Sequence, residues 1–234
     1  MASASFVSSA SSFTTACTTS LAVDMPGSLS ASNVLVVFLG MRNVSTPSAT
    51  PPAGFTNLGI SACDGTTGAN IQVFWRIATG TEGAACTFTI SASNQMAAAV
   101  GQYSNIDTAC PFDVYVAASA GGTTAATKFG TVTTTSASEL ILYAANIVGA
   151  GGTITNDAAL TEREEVGSTG TNNTTTWLGD ELQAASGLST QRTNTLSASQ
   201  RNVEITIALK TASAAGAGNS QVFGMLQAMT GITF

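Results

Sequence analysis

The sequence predicts an all-β protein: a jelly-roll-like β-sandwich of about eight strands, built from two similar halves, with extended N- and C-terminal arms. Three observations carry this. Thr, Val, Ile and Phe recur between Gly- and Ser-rich breaks about every ten residues, which favours strands joined by turns. Helical periodicity is nearly absent, and period-two alternation appears in several segments. Finally, short motifs recur at a common offset between the first and second halves of the chain.

Val34 to Gly40 is an apolar run suited to a central buried strand. Ile71, Val73, Trp75 and Ile77 share one face of the next clear strand, with Gln72 and Arg76 on the other. Cys86, Phe88 and Ile90 alternate with Thr87 and Thr89. Val203, Ile205, Ile207 and Leu209 alternate with Glu204, Thr206, Ala208 and Lys210, the pattern of a strand with one wet side. Shorter candidates are Val114 to Ala118, Phe129 to Thr134, Leu140 to Asn146 and Thr174 to Gly179. They are separated by breaks such as Pro51-Pro52-Ala53-Gly54, Asp64-Gly65 and Gly149 to Gly152.

The repeat is read from three anchors. Ser30-Ala31-Ser32-Asn33 before Val34 matches Ser136-Ala137-Ser138-Glu139 before Leu140, and Ser91-Ala92-Ser93-Asn94 matches Ser197-Ala198-Ser199-Gln200, both at an offset of 106. Ala97, Ala99 and Tyr103 then fall on Val203, Ile205 and Leu209. Trp75 is paired with Trp177 at an offset of 102, with loop-length changes absorbing the difference. Each half is expected to supply about four strands, stacked face to face as Greek keys. A lectin-like or immunoglobulin-like arrangement is the alternative. The domain boundaries expected are an N-terminal arm over 1–12, the sandwich over 13–210 with halves of about 13–107 and 113–210, and a linker with an apolar C-terminal arm over 211–234.

Composition limits the chemistry. Ala, Thr, Ser and Gly fill 123 of the 234 positions, and charged residues make up only 9%, with a net charge of −6. With no His, there is no histidine metal ligand and no Ser-His or Cys-His nucleophile pair. The seven basic residues are scattered, which argues against a nucleic-acid face. The longest strongly apolar run, Val34 to Leu39, is far short of a membrane span. The first ten residues lack the features of a secretory signal, so synthesis in a cytoplasm is expected. There Cys17, Cys63, Cys86 and Cys110 read as structural thiols rather than a disulfide frame.

No catalytic, cofactor or metal residues are assigned. The acids and arginine Asp157, Glu162, Arg163, Glu164, Glu165, Asp180 and Glu181 form the one charge concentration; they lack calcium-loop spacing and read as the wet face of a strand or hairpin. Trp75 and Trp177 read as core rather than as sugar-stacking platforms. The interaction candidates are Phe6 near the start and Val222, Phe223, Met225, Leu226, Met229, Ile232 and Phe234 in an uncharged apolar tail. A disordered tail would be polar, so these side chains are expected to bury against the chain's own domain or a neighbour.

Several segments also resemble, in order, a sandwich module of tailed-bacteriophage virion proteins. They are Pro52-Ala53-Gly54-Phe55-Thr56, the stretch from Ile71 to Glu82, Thr87-Phe88-Thr89-Ile90, and the stretch from Val100 to Asp107 with Pro111-Phe112-Asp113. The closing strand, Ile205 to Lys210, belongs to the same pattern. Phe55 stands where the family usually has Trp, and Asn105 where it has Gly. The resemblance implies a structural virion protein that is not an enzyme. The first expectation is a capsid decoration or cement protein, a homo-oligomer (dimer or trimer) binding the major capsid protein, with no nucleic acid, membrane or cofactor partner. The alternative is a tail or fibre component binding host-surface glycan or receptor, with Thr169 to Thr176 among its loops.

Overall fold

The computed structural model describes residues 2–42, 48–64, 68–149, 153–168 and 173–213. Among them every regular element is a strand. The first half contains β1 (Ser5–Phe13), β2 (Thr18–Asp24), β3 (Val34–Arg42), β4 (Ala49–Thr50), β5 (Thr56–Cys63), β6 (Ala69–Ile77), β7 (Ala85–Asn94) and β8 (Met96–Ser104). The second contains β9 (Phe112–Lys128), β10 (Thr133–Thr134), β11 (Glu139–Val148), β12 (Ile154–Thr155), β13 (Thr161–Gly167), β14 (Thr174–Gln183), β15 (Gly187–Leu188) and β16 (Thr193–Leu209).

The first half makes two sheets, ordered β1-β8-β3-β6-β5 and β2-β7-β4. The orders 1-8-3-6 and 2-7-4 are those of a jelly roll. The second half repeats them with six strands, two of them longer, while β10 and β15 pair separately. Its large sheet runs β9-β16-β11-β14-β13. Residues 123–128 of β9, residues 193–201 of β16 and the short β12 then form the second layer. The expected count of about eight strands for the whole sandwich is therefore corrected: each half is a jelly roll of its own. The two 17-residue strands β9 and β16 each serve both sheets of their half, doing the work of two strands.

Ladder registers make the duplication explicit. Val34 faces Tyr103 and Leu140 faces Leu209, each partner 106 residues on. The same step carries the Phe6–Tyr103 pair to Phe112–Leu209, and the Leu21–Phe88 pair to Thr127–Asn194. Ser32 and Ser138, also 106 apart, both take positive φ, 69° and 63°, in the turn that starts the central strand of each half. The tryptophans do not correspond. Trp75 lies opposite Val36 and Trp177 opposite Ala145, so the counterpart of Trp75 is Asp180 and that of Trp177 is Gln72. Two rare residues happened to fall near the repeat offset.

The two large sheets pack on each other, with β3 over β11, β8 beside β14 and β6 beside β16. Their shared core contains Val34, Val36 and Phe38 with their counterparts Leu140, Leu142 and Ala144, closed by Val203, Ile205, Ile207 and Leu209. A second core fills the first jelly roll, and a third lies in the second. Four layers result, and the large sheets are covered on both faces. That corrects the expectation of a wet side for Val203 to Leu209: Glu204 and Thr206 are 1% and 0% exposed.

The N-terminal arm is likewise corrected. Residues 5–13 form β1, paired along β8, and Ala4 is buried. Phe6 packs on the shared core, edge-on to Tyr103 at 6.0 Å, with the Arg163 guanidinium 4.0 Å from its ring. Its apolar surface is used internally. Val222, Phe223, Met225, Leu226, Met229, Ile232 and Phe234 lie outside the described residues.

Candidate functional site

The residues quoted for the family resemblance hold the fold. Phe55 packs edge-on to Phe88 at 5.4 Å in the first core, under the Arg76 guanidinium at 5.3 Å. Arg76 pairs with Glu82 at 3.0 Å, and Glu82 accepts from the backbone N–H of Thr79 and Gly80. Burial tends to raise the Glu82 carboxyl, but these donors and Arg76 together hold it below the usual carboxylate range. Asn105, in the place of the family's Gly, has φ +59, a conformation Asn tolerates better than most residues. Asp107 accepts from the N–H groups of Ala109 and Cys110.

The acidic segment is divided among local pairs. Arg163 on β13 donates to both Asp180 oxygens at 2.8 and 2.9 Å, and burial still raises the Asp180 carboxyl. Arg192 pairs with Glu181 and, at 3.7 Å, with Asp157; the Glu181 hydrogen bond raises the Arg192 guanidinium. Glu162 accepts from the Trp177 indole at 3.2 Å, while Glu164 and Glu165 lie along the edge strand β13. Trp177 is fully buried against Phe129, and Trp75 is half-buried, edge-on to Phe112. None of Cys17, Cys63, Cys86 and Cys110 forms a disulfide.

The concentration of unsatisfied chemistry lies elsewhere, inside the second jelly roll. Side chains of β16 at 202, 204 and 206 point into that half, because the odd positions 203, 205 and 207 face the shared core. Asn202, Glu204 and Thr206 are 0%, 1% and 0% exposed, and Thr127 and Asn194, a register pair in the outer layer, are both 0%. Each of the five carries a buried polar atom without a protein partner: Asn202 Oδ1, Glu204 Oε1, Thr206 Oγ1, Thr127 Oγ1 and Asn194 Nδ2. Such atoms cost free energy when left unmade, about 1–3 kcal/mol each.

The first jelly roll shows what the same positions hold in an ordinary core. Moving 106 residues back along the ladders, Thr127, Asn194, Asn202, Glu204 and Thr206 become Leu21, Phe88, Met96, Ala98 and Val100. All five belong to the apolar core of the first half. One copy therefore packs these positions with hydrocarbon and the other fills them with donors and acceptors.

A cavity of about 230 Å³ opens to the surface at Glu204, the member of the cluster that lines it, together with Ser119, Thr124, Ala126 and Lys128. Asn202 fixes one wall by donating to the Ala126 carbonyl at 3.3 Å, and the Asp157 N–H donates to Asn194 Oδ1 at 3.0 Å. The Glu204 carboxyl accepts from the Lys128 backbone N–H, but burial dominates and, helped by the Asp64 charge, pushes it up to about 8. At neutral pH it is mainly a neutral acid, able both to donate and to accept.

Sequence reasoning missed this cluster. The signal was present in the repeat itself, since the offset of 106 already lines up Ala98 with Glu204 and Val100 with Thr206. No family model, curated protein or solved structure matches the chain, so the fold and this cluster rest on the chain's own geometry.

Proposed function

We propose that the protein is a structural component of a tailed-phage particle, a capsid decoration or cement protein that binds the head through subunit contacts. The observation that carries this reading is the character of the two outer layers. In the first, Ser20 lies opposite Thr89, Ala22 opposite Thr87, and Thr50 opposite Thr89; all five are exposed. In the second, Thr195 lies opposite both Ala126 and Thr155. Small, neutral side chains on a flat ladder can be covered by another protein at a lower desolvation cost than charged ones. The resemblance to virion sandwich modules points the same way, since the quoted residues serve the fold. The four-layer body supplies one such face at each end of the stack, with exposed Asp24 at the end of β2 and exposed Lys128 at the end of β9.

The test is sedimentation of the purified protein with empty heads of the phage that encodes it. Co-sedimentation at saturable stoichiometry is expected, and deletion of 211–234 should abolish it. Unchanged retention of the truncated form would rule out the C-terminal segment as the clamp. A protein that stays at the top of the gradient but binds host polysaccharide would favour the tail or fibre reading.

A further inference from the structure

We propose that the second jelly roll is a binding module whose cavity at Glu204 takes a small, neutral, polyhydroxylated ligand no larger than a monosaccharide. The inference does not depend on where the protein sits in a particle.

The argument starts from the asymmetry between the copies. Five positions that are Leu21, Phe88, Met96, Ala98 and Val100 in one half are Thr127, Asn194, Asn202, Glu204 and Thr206 in the other. Replacing packed hydrocarbon with buried polar groups is destabilising unless their hydrogen bonds are made. Here one polar atom on each of the five lacks a protein partner. A fold whose sister copy shows an apolar solution has retained an unsatisfied one, the arrangement expected where the missing partners come from a bound molecule.

The chemistry of the cavity lining selects the ligand. Glu204, the member of the five that lines it, stands there with the hydroxyls of Ser119 and Thr124 and with Lys128, a set that both donates and accepts. Hydroxyl groups on a ligand match such a mixed set, because each can donate and accept. Glu204 is the one carboxyl among the five, too few for the oxygen cage a divalent cation needs. Size points the same way, since about 230 Å³ is several times the roughly 30 Å³ share of one water in the liquid. Ser119 and Lys128 line the cavity and are exposed, so the entrance is open to solvent.

The experiment uses the full chain and saturation-transfer-difference NMR with glucose, galactose, N-acetylglucosamine, rhamnose and glycerol as probes. At least one should give a saturable signal. Two variants locate it. The triple variant Asn202→Met, Glu204→Ala, Thr206→Val installs the residues of the first half; it should weaken binding at least tenfold while raising Tm. Ser119→Trp, at an exposed position on the cavity wall, should weaken binding similarly with Tm unchanged. Absence of signal from all five probes, meaning that water alone satisfies the cluster, would overturn the proposal. A signal that survives Ser119→Trp would also overturn it, because the ligand would then sit elsewhere.

Discussion

Two buried carboxyls make stability depend on pH in an unusual direction. Glu204 is pushed from 4.5 to about 8 by burial, and Glu139, fully buried near Asp113, to about 7 by burial first and then by that second carboxylate. A carboxyl with a raised folded pKa favours folding while it is protonated. As pH climbs past 4.5 the unfolded chain ionises first, so these groups withdraw stability up to about pH 7 for Glu139 and about pH 8 for Glu204. Glu204→Gln should therefore match the parent near pH 4 and exceed it by about 4–5 kcal/mol at pH 8.5, the rise from 4.5 to about 8 being worth about 1.4 kcal/mol per pKa unit. Urea unfolding at the two pH values checks this; an equal gap at both would contradict it. Gly40 and Asn146 give a second prediction. Asn146 donates to the carbonyls of Met41 and Asn70 at 2.9 and 2.8 Å, bridging the halves. A Cβ on Gly40 would collide with Asn146 and Thr176. Gly40→Ala should cost about 2–4 kcal/mol through overpacking, read as a fall in Tm.

Among the elements, β1 and β16 show what the sequence could and could not disclose. The central strand β3 was legible because an unbroken apolar run has few other homes. β16 was legible as a strand, but its Glu204 and Thr206 read as solvent-facing. Alternation reports only that one side is polar, and a polar interior has the same signature as a wet surface. β1 was read as an arm because Ser and Ala carry little hydrophobic signal; pairing with β8 and burial of Ala4 secure it instead. Deletion of residues 2–13 should therefore leave one long edge of β8 unpaired and uncover the shared core near Phe6. We expect loss of the cooperative thermal transition, followed by near-UV circular dichroism; a truncated protein with the parent Tm would return this segment to the status of an arm.

At the scale of the whole molecule, the halves do not stand alone. Twenty-one buried residues from both halves form the shared core, so either half in isolation would present an apolar sheet to water. Residues 2–107 expressed without the rest should self-associate or aggregate, whereas co-expression with 108–213 should restore a 1:1 complex on size-exclusion chromatography. A stable, soluble monomer of either piece would show that the large sheets do not depend on each other. The duplication was visible in the sequence through its offset, but its depth was not. Two-residue strands such as β4 and β12 leave almost no pattern, and a strand shared between two sheets looks like one strand.

The contact between Gly40 and Asn146 also bears on how such a chain could arise. These residues are counterparts, 106 apart, and they meet where the two large sheets pack on each other, as residues on a two-fold axis would. In a dimer of identical chains the position on the axis meets itself: two glycines would leave a hole, and two asparagines would compete for one space. Two copies free to differ, as in this fused chain, let one supply the knob and the other the socket. Once that pair had formed, neither half could return to life as a symmetric dimer, so the join between the copies acts as a ratchet. The freedom it created extends beyond the seam, since a second copy released from self-matching can exchange its core for a cavity while the first keeps the structure standing.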